Sequence, residues 1–394
     1  MKQHSFFIII CLFSIPVFAQ ENQEYRPMTT DLAITPSPAY QMLDANASLV
    51  GRPAINRDFK VDWSLKSYRL APNLALEVQP VWLALYSGKN NIGKYRKAGY
   101  LVKTLSTLGI SAGTLDGNDT TRFFSYAAKI TLFQSRDPLM DKNLYNEYEN
   151  GYYISYQQIQ EEVNKIKEAV AYVKNAEAKD SLVKILLEKE FELYQTKKNF
   201  KDKIKQQQEE YKAQYWNTSN IEIAYGRAFA FNPKLSERID SLKFSNTGNA
   251  FWLNAGLGLG KHWLITAVVR TISHTEFART TIFDSLNSVS NTTLERNRLF
   301  ENSLGLNFRY GSIRYSFFIE GFYSQSSHLQ PVLLDLIDTG NDLLVEENKL
   351  TIGYGGDLKL GNNVLLNYGI RSIVSQSFQV KGVIPIASVT CLMR

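Results

Sequence analysis

Cysteine is nearly absent. The 394-residue chain has 2, Cys11 and Cys391, which leaves no pair for a disulfide in a mature secreted chain and no cysteine metal site. Beyond residue 19 no apolar run reaches the roughly 18 residues that a spanning helix needs. That excludes a helical membrane protein but not a strand-built one, where only alternate residues meet lipid. Histidine is scarce, with 4 in all, and charge of one sign is nowhere concentrated: 44 Lys and Arg stand against 38 Asp and Glu, a net +6. No basic block marks a nucleic-acid footprint, so nucleic acid is not expected as a partner.

What is present is alternation. In 349–371 (KLTIGYGGDLKLGNNVLLNYGIR), Leu350, Ile352, Tyr354, Leu358 and Leu360 share one parity, with Thr351, Gly353, Gly355, Asp357 and Lys359 on the other. After Gly361-Asn362-Asn363 a second run sets Val364, Leu366, Tyr368 and Ile370 against Asn367, Gly369 and Arg371. This is a tight hairpin with one apolar and one polar face, as in a barrel that turns its apolar side to lipid.

Residues 1–19 carry Lys2, the apolar core Phe6–Phe13 and Val17-Phe18-Ala19, which read as a cleaved secretory signal. Residues 20–58, with Pro27, Pro36, Pro38 and Pro53, suit an irregular segment at the periplasmic mouth or within the lumen. From 59 the strand pattern begins: 61–65, then 74–86 with a bulge at Pro80, then 100–115, then Phe124 to Leu132. The period then changes. Ile159, Val163, Ile166, Val170 and Val173 recur at steps of four and three; after a polar break, Leu186, Leu193, Phe200, Ile204 and Tyr211 line a second helix over 181–215. Two seams joined by a polar turn predict an antiparallel helical hairpin at about 150–215, some 35–50 Å long at about 1.5 Å per residue. A plain solvated helix pair is the alternative.

Strands resume at Ile221, with Arg227 marking a bulge or rim, and continue to a last run within 380–393. The reading is an all-β transmembrane barrel of about twelve antiparallel strands over 59–394, interrupted by the hairpin. Short connections at 259–262, 310–313 and 361–363 alternate with long loops at 232–249, 272–295 and 325–348, which places the helical insert and the chain start on the periplasmic side. A tight turn at 70–73 falls on the other side and fits less well. The five tryptophans, Trp63, Trp82, Trp216, Trp252 and Trp263, are expected in an interfacial girdle.

The signal ending Ala19-Gln20, TPSPAYQML at 35–43, LALEVQPVWL at 74–83 and GYGGDLKLG at 353–361 together resemble the uncharacterised outer-membrane β-barrel proteins of Bacteroidota. The resemblance implies a barrel in the outer membrane and carries no ligand or catalytic motif; the ending Cys391-Leu392-Met393-Arg394 departs from it in lacking a terminal aromatic. Asp-Ser-Leu tripeptides at 180, 240 and 284 resemble that group's O-glycosylation sequon, with Ser181, Ser241 and Ser285 as acceptors.

For chemistry, His262, His274 and His328 have no Ser or Asp at motif spacing. Asp335, Asp338 and Asp342 with Glu346 and Glu347 read as a solvated loop, since the spacing is not that of a calcium loop. No cofactor or metal is expected. On the inward parity, Lys129, Arg309, Arg314, Glu320, Asp357, Lys359 and Arg371 are expected in the lumen, either tightly paired beside a plug or hydrated in a narrow pore favouring anionic or zwitterionic solutes. The function expected is a non-enzymatic outer-membrane barrel, acting as a small pore or, through a partner held by 155–215, as the membrane component of a transport or secretion assembly. A rim hydrolase, with His274 or His328 near a Ser or Asp, is the alternative, as is a surface binding or adhesion protein were the hairpin extracellular.

Overall fold

In the computed structural model the described residues are 32–57, 59–65, 73–86, 91–117, 121–142, 154–232, 245–283, 290–334, 337–361, 363–374 and 379–393. Among them twelve antiparallel strands close a barrel in sequential order, with β1 (Phe59–Ser64) pairing with both β2 (Leu74–Val78) and β12 (Val380–Met393). Between these lie β3 (Gly109–Asp116), β4 (Arg122–Gln134), β5 (Asn220–Phe231), β6 (Ser245–Leu259), β7 (Trp263–Phe283), β8 (Ser290–Gly311), β9 (Tyr315–Leu334), β10 (Ile337–Lys359) and β11 (Val364–Val374). Closure leaves no unpaired strand edge within the ring, which any sheet in lipid must avoid, while the ends of the β7–β8 and β9–β10 hairpins run beyond it as two-stranded ribbons.

The period-2 pattern does what it predicts. On β8 and β9, Leu304, Leu306, Phe308, Tyr310, Tyr315, Phe317, Ile319 and Tyr323 are exposed outward, while Ser303, Asn307, Arg309, Ser316, Glu320 and Ser324 are buried inward. An outward belt of large apolar groups is affordable only against lipid. Wall heights are unequal. β1, β2 and β3 have 6, 5 and 8 residues, whereas β7 to β10 have 20 to 23. The long sector overshoots a membrane that takes about 9–11 tilted residues per strand.

One end, here the terminal end, carries the start of β1, the end of β12, the short connections at 260–262, at 312–314 and between β10 and β11, and, among the described residues, all the helices beyond the lumen. Between β2 and β3 lie α2 (Pro80–Tyr86), α3 (Asn91–Lys97) and α4 (Tyr100–Leu105). Between β4 and β5 lie α5 (Ile154–Tyr172) and α6 (Ala176–Tyr215). The first helix, α1 (Pro38–Met42), is inside the barrel.

Several sequence expectations are corrected. The 74–86 run is not one bulged strand: β2 stops at Val78 and Pro80 opens α2, because a proline needs no N–H partner in the first turn of a helix. Residues 100–105 are helix, and only 109–116 is strand. The long loops at 272–295 and 325–348 are mostly strand, paired residue by residue past the belt. Arg227 keeps the strand parity, half-buried beside Phe229, and the register shift falls after it, between Ala228 and Phe229. Of the tryptophans only Trp63 and Trp263 are exposed; Trp82, Trp216 and Trp252 are buried. Residues 1–31 and 66–72, and with them the signal and the 70–73 turn, lie outside the described residues.

Candidate functional site: a filled lumen and a mounted hairpin

Residues 34–57 enter the barrel from the terminal end, turn, and leave by the same end into β1. Ser37 N donates to Asp62 at 2.7 Å and Ala39 N to Ser111 Oγ at 3.0 Å, so α1 starts against β1 and β3. After α1 the chain reverses at Asp44, whose φ of 51° is one that aspartate tolerates better than most residues. On the return, Ala47 N donates to Asn367 Oδ1 at 3.0 Å and Leu49 N to Glu320 Oε1 at 2.8 Å, and Asn220 donates to the Pro53 carbonyl. A segment without a strand partner thus finds partners for its backbone on the barrel wall, as buried N–H and C=O groups must.

The wall supplies charges in complementary sets. Glu77 is paired with Lys60 and, at 3.1 Å, with Lys129; Lys129 also lies 3.9 Å from Glu222, which accepts from Asn254 at 3.2 Å. Arg309 pairs with Asp357, whose other oxygen accepts from Asn367 at 2.6 Å. Arg270 grips Asp44 at 2.6 Å with Glu301 3.7 Å away, and Arg371 donates to the Ala47 carbonyl at 3.1 Å. Glu320 gathers Ser48 Oγ, Leu49 N, Val50 N and Asn307 Nδ2. Desolvating these ions is tolerable only because each has an opposite charge or hydrogen-bond partners of the right kind, donors for Glu320 and backbone carbonyls for Arg371.

Between the charged sets lies an apolar interior. Met42, Leu49 and Val50 pack on Ala127, Ala224, Ala228, Ala250, Trp252, Val268 and Phe322. The wall is small-sided where the segment comes closest. A Cβ at Gly305 would stand 2.6 Å from Val50 and 2.7 Å from Phe322, so no side chain fits there without displacing the segment. The cavity beside Arg309, Asp357, Lys129 and Glu222 has about 30 Å³ of space, room for a water or two.

Of the inward residues expected from parity, Lys129, Arg309, Glu320, Asp357 and Arg371 are buried and joined in these sets. Lys359 sits at the rim and reaches Glu209 of α6 at 3.7 Å. Arg314 is a correction: it is exposed in the 312–314 turn, because β9 begins only at Tyr315 and parity has no meaning beyond a strand end. Lys60, Glu77, Glu222, Asn254, Arg270 and Asn307 were missed by the sequence reading, although each sits on the inward parity of its strand.

The helical seam forms as expected, with Val163 buried and Ile159, Ile166, Val170, Val173, Leu186, Leu193 and Phe200 half-buried between α5 and α6. Lys167–Glu190 at 2.8 Å and Lys189–Glu162 at 3.0 Å flank it and fix the antiparallel register. Asn175 caps α6, accepting from Glu177 N at 2.9 Å, so the helix starts at 176 rather than 181. The far end of α6 is bolted to the barrel. Trp216 is 1% exposed; its Nε1 donates to the Lys261 carbonyl at 2.8 Å, its ring faces Arg52 at 5.0 Å, and Asn217 bonds the Gly260 and Trp263 carbonyls. A further row, Leu187, Phe191 and Tyr194, is 60%, 63% and 61% exposed and lies about 100° round α6 from the seam.

Ser181 is exposed in the first turns of α6; Ser241 and Ser285 lie outside the described residues, as does Asp335. Asp338, Asp342, Glu346 and Glu347 are on β10, not in a loop, and Asp342 and Glu346 share one strand parity while Glu347 takes the other. His274 approaches Glu276 at 3.3 Å and His262 approaches the Gly311 carbonyl at 3.1 Å.

No family model and no curated protein matches the chain. Among solved structures it is similar to the β domain of the Bordetella autotransporter Brka, at 8% identity and a TM-score of 0.29, over 85% of this chain and 97% of that one. It is also similar to the translocator domain of autotransporter NalP from Neisseria meningitidis, at 11% identity and a TM-score of 0.31, over 86% of this chain and 89% of that one. At such similarity the barrel assignment rests on this chain's own closed strand pairing.

Proposed function

We propose that the chain is a non-enzymatic outer-membrane barrel, closed by residues 32–57, that holds the α5–α6 hairpin in the periplasm as a docking arm for an envelope protein. The orientation follows from the turns: the terminal end has the short connections, and barrels of this kind keep short turns periplasmic. The observation that carries the reading is the exposed row Leu187, Phe191 and Tyr194 on a helix whose base is fixed to the barrel by Trp216. A helix that served only as a spacer would present polar residues all round outside its seam. The filled lumen supports a scaffold over a pore, since a solute path would require the 32–57 segment to leave its buried ion pairs.

The test has two parts. The purified chain in planar bilayers is expected to be silent, while a photocrosslinker at Phe191 in intact cells is expected to capture one discrete envelope protein. Steady conductance from the unaltered chain would favour the pore, and absence of any crosslink at Phe191 and Tyr194 would remove the docking arm.

A further inference from the structure

The sector of the wall made by β1, β2 and β3 has 6, 5 and 8 residues per strand, fewer than the roughly 9–11 a strand needs to cross the hydrocarbon. The α2–α4 excursion leaves the wall in this sector, from Val78, and returns to it at Gly109. It carries a dense set of exposed large apolar groups: Leu83, Leu85, Tyr100, Leu101, Val102 and Leu105, with Leu101 at 74%. Its other side is fastened. Trp82, Tyr86, Tyr95 and Leu139 form a buried cluster, Arg57 lies over the Trp82 ring at 4.9 Å, and Tyr95 Oη donates to Asp137 at 2.6 Å. The excursion therefore cannot turn its exposed side inward.

Where it meets the wall, it meets the belt. β4 has a bulge between Thr131 and Phe133, which leaves Leu132 without a partner on β5 and turns both Leu132 and Phe133 outward. The Leu132 carbonyl accepts from Tyr100 Oη at 2.8 Å, and Thr131 N donates to Thr107 Oγ1 at 2.9 Å. An exposed backbone carbonyl of the wall, that of Leu132, is thus satisfied from α4, while the Thr131 N–H is buried beneath the residues that follow α4. In water an exposed carbonyl needs no such help; in lipid an unsatisfied one costs several kcal/mol. α3, between the two apolar groups in the chain, carries exposed Lys94 and Lys97, cations suited to headgroup contact.

We propose that α2–α4 lies in the headgroup–acyl boundary of the periplasmic leaflet, continuing the lipid belt of the barrel where β1–β3 fall short. The occupant of the apolar face is lipid. The arrangement anchors the low side of the barrel in the membrane through helices lying flat on it.

The test uses the full chain with Cys11→Ser and Cys391→Ser as background, refolded into vesicles of zwitterionic and anionic phospholipid. A fluorophore is placed on Leu101→Cys, on Leu83→Cys, on Ile319→Cys as belt control and on Glu188→Cys as water control. Lipids brominated near the top of the acyl chain are expected to quench the labels at 101 and 83 comparably to the label at 319, with aqueous iodide ineffective. The pair of positions on separate helices guards against one variant that folds poorly, and heat-modifiable migration confirms folding of each. Iodide quenching with inert bromolipid, as at 188, would place the helices in water and overturn the proposal. Protection from both quenchers would show a protein covering the face, a second copy included, and would overturn it equally.

Discussion

At the residue scale the lumen is governed by what a buried ion needs. Glu77 stands between Lys60 and Lys129, so Glu77→Ala leaves two buried cations facing each other. Removal of one partner of a buried pair costs about 3–5 kcal/mol, and the variant is expected to lose that much in a urea titration followed by heat-modifiable migration. An unchanged midpoint would show that water enters the set. Gly305→Leu tests fit instead of charge: the side chain would occupy the place of Val50, and protease accessibility of the 32–57 segment is expected to rise while the strands stay protected. Tyr95 offers a pH handle outside the strands. Burial, reinforced by the Asp137 carboxylate, raises its phenol above the ordinary tyrosine value. The folded state therefore holds a proton that the unfolded chain gives up. Its contribution is complete below the ordinary value near 10 and declines as pH rises beyond it. Tyr95→Phe is expected to flatten the alkaline limb of stability against pH.

At the element scale the hairpin and the barrel are separable in their packing. The seam of α5 and α6 closes on itself, and among the described residues the barrel receives the base of α6 through Glu209, Tyr211, Lys212, Tyr215 and Trp216. Deletion of 155–214 with a short linker is expected to leave a folded, heat-modifiable barrel, provided Trp216 is kept. Loss of folding would make the hairpin part of the barrel core. The ion pairs flanking the seam are exposed to water, which screens them, so the apolar seam residues carry the hairpin. Val163→Asp is expected to separate the helices, seen as lost helical circular dichroism with the strand signal retained.

At the scale of the whole molecule, the filled lumen and uneven wall set what the barrel can do. Arg309→Ala frees Asp357 without removing the apolar packing of Met42, Leu49 and Val50, so the lumen is expected to stay closed and bilayer recordings silent. Deletion of the 32–57 segment is the opposite case: the wall charges then face water, and any refolded protein is expected to conduct. Silence there would mean that the wall itself collapses inward.

What the sequence determined by itself is everything that depends on local period. Alternation along β8 to β12 specifies strands and which side each residue faces, since a pleated strand admits only two directions. The a/d spacing from Ile159 to Phe200 specifies the helical pair for the same kind of reason. Only the tertiary structure decided the contacts between distant segments. That Glu77 lies between Lys60 and Lys129, that 34–57 fills the lumen, and that Trp216 fastens α6 to a turn at 260–262 depend on barrel closure and strand stagger, which no local period encodes. The same holds at strand ends. Arg314 and the 74–86 run were misplaced because parity stops where pairing stops, and pairing is a property of two strands.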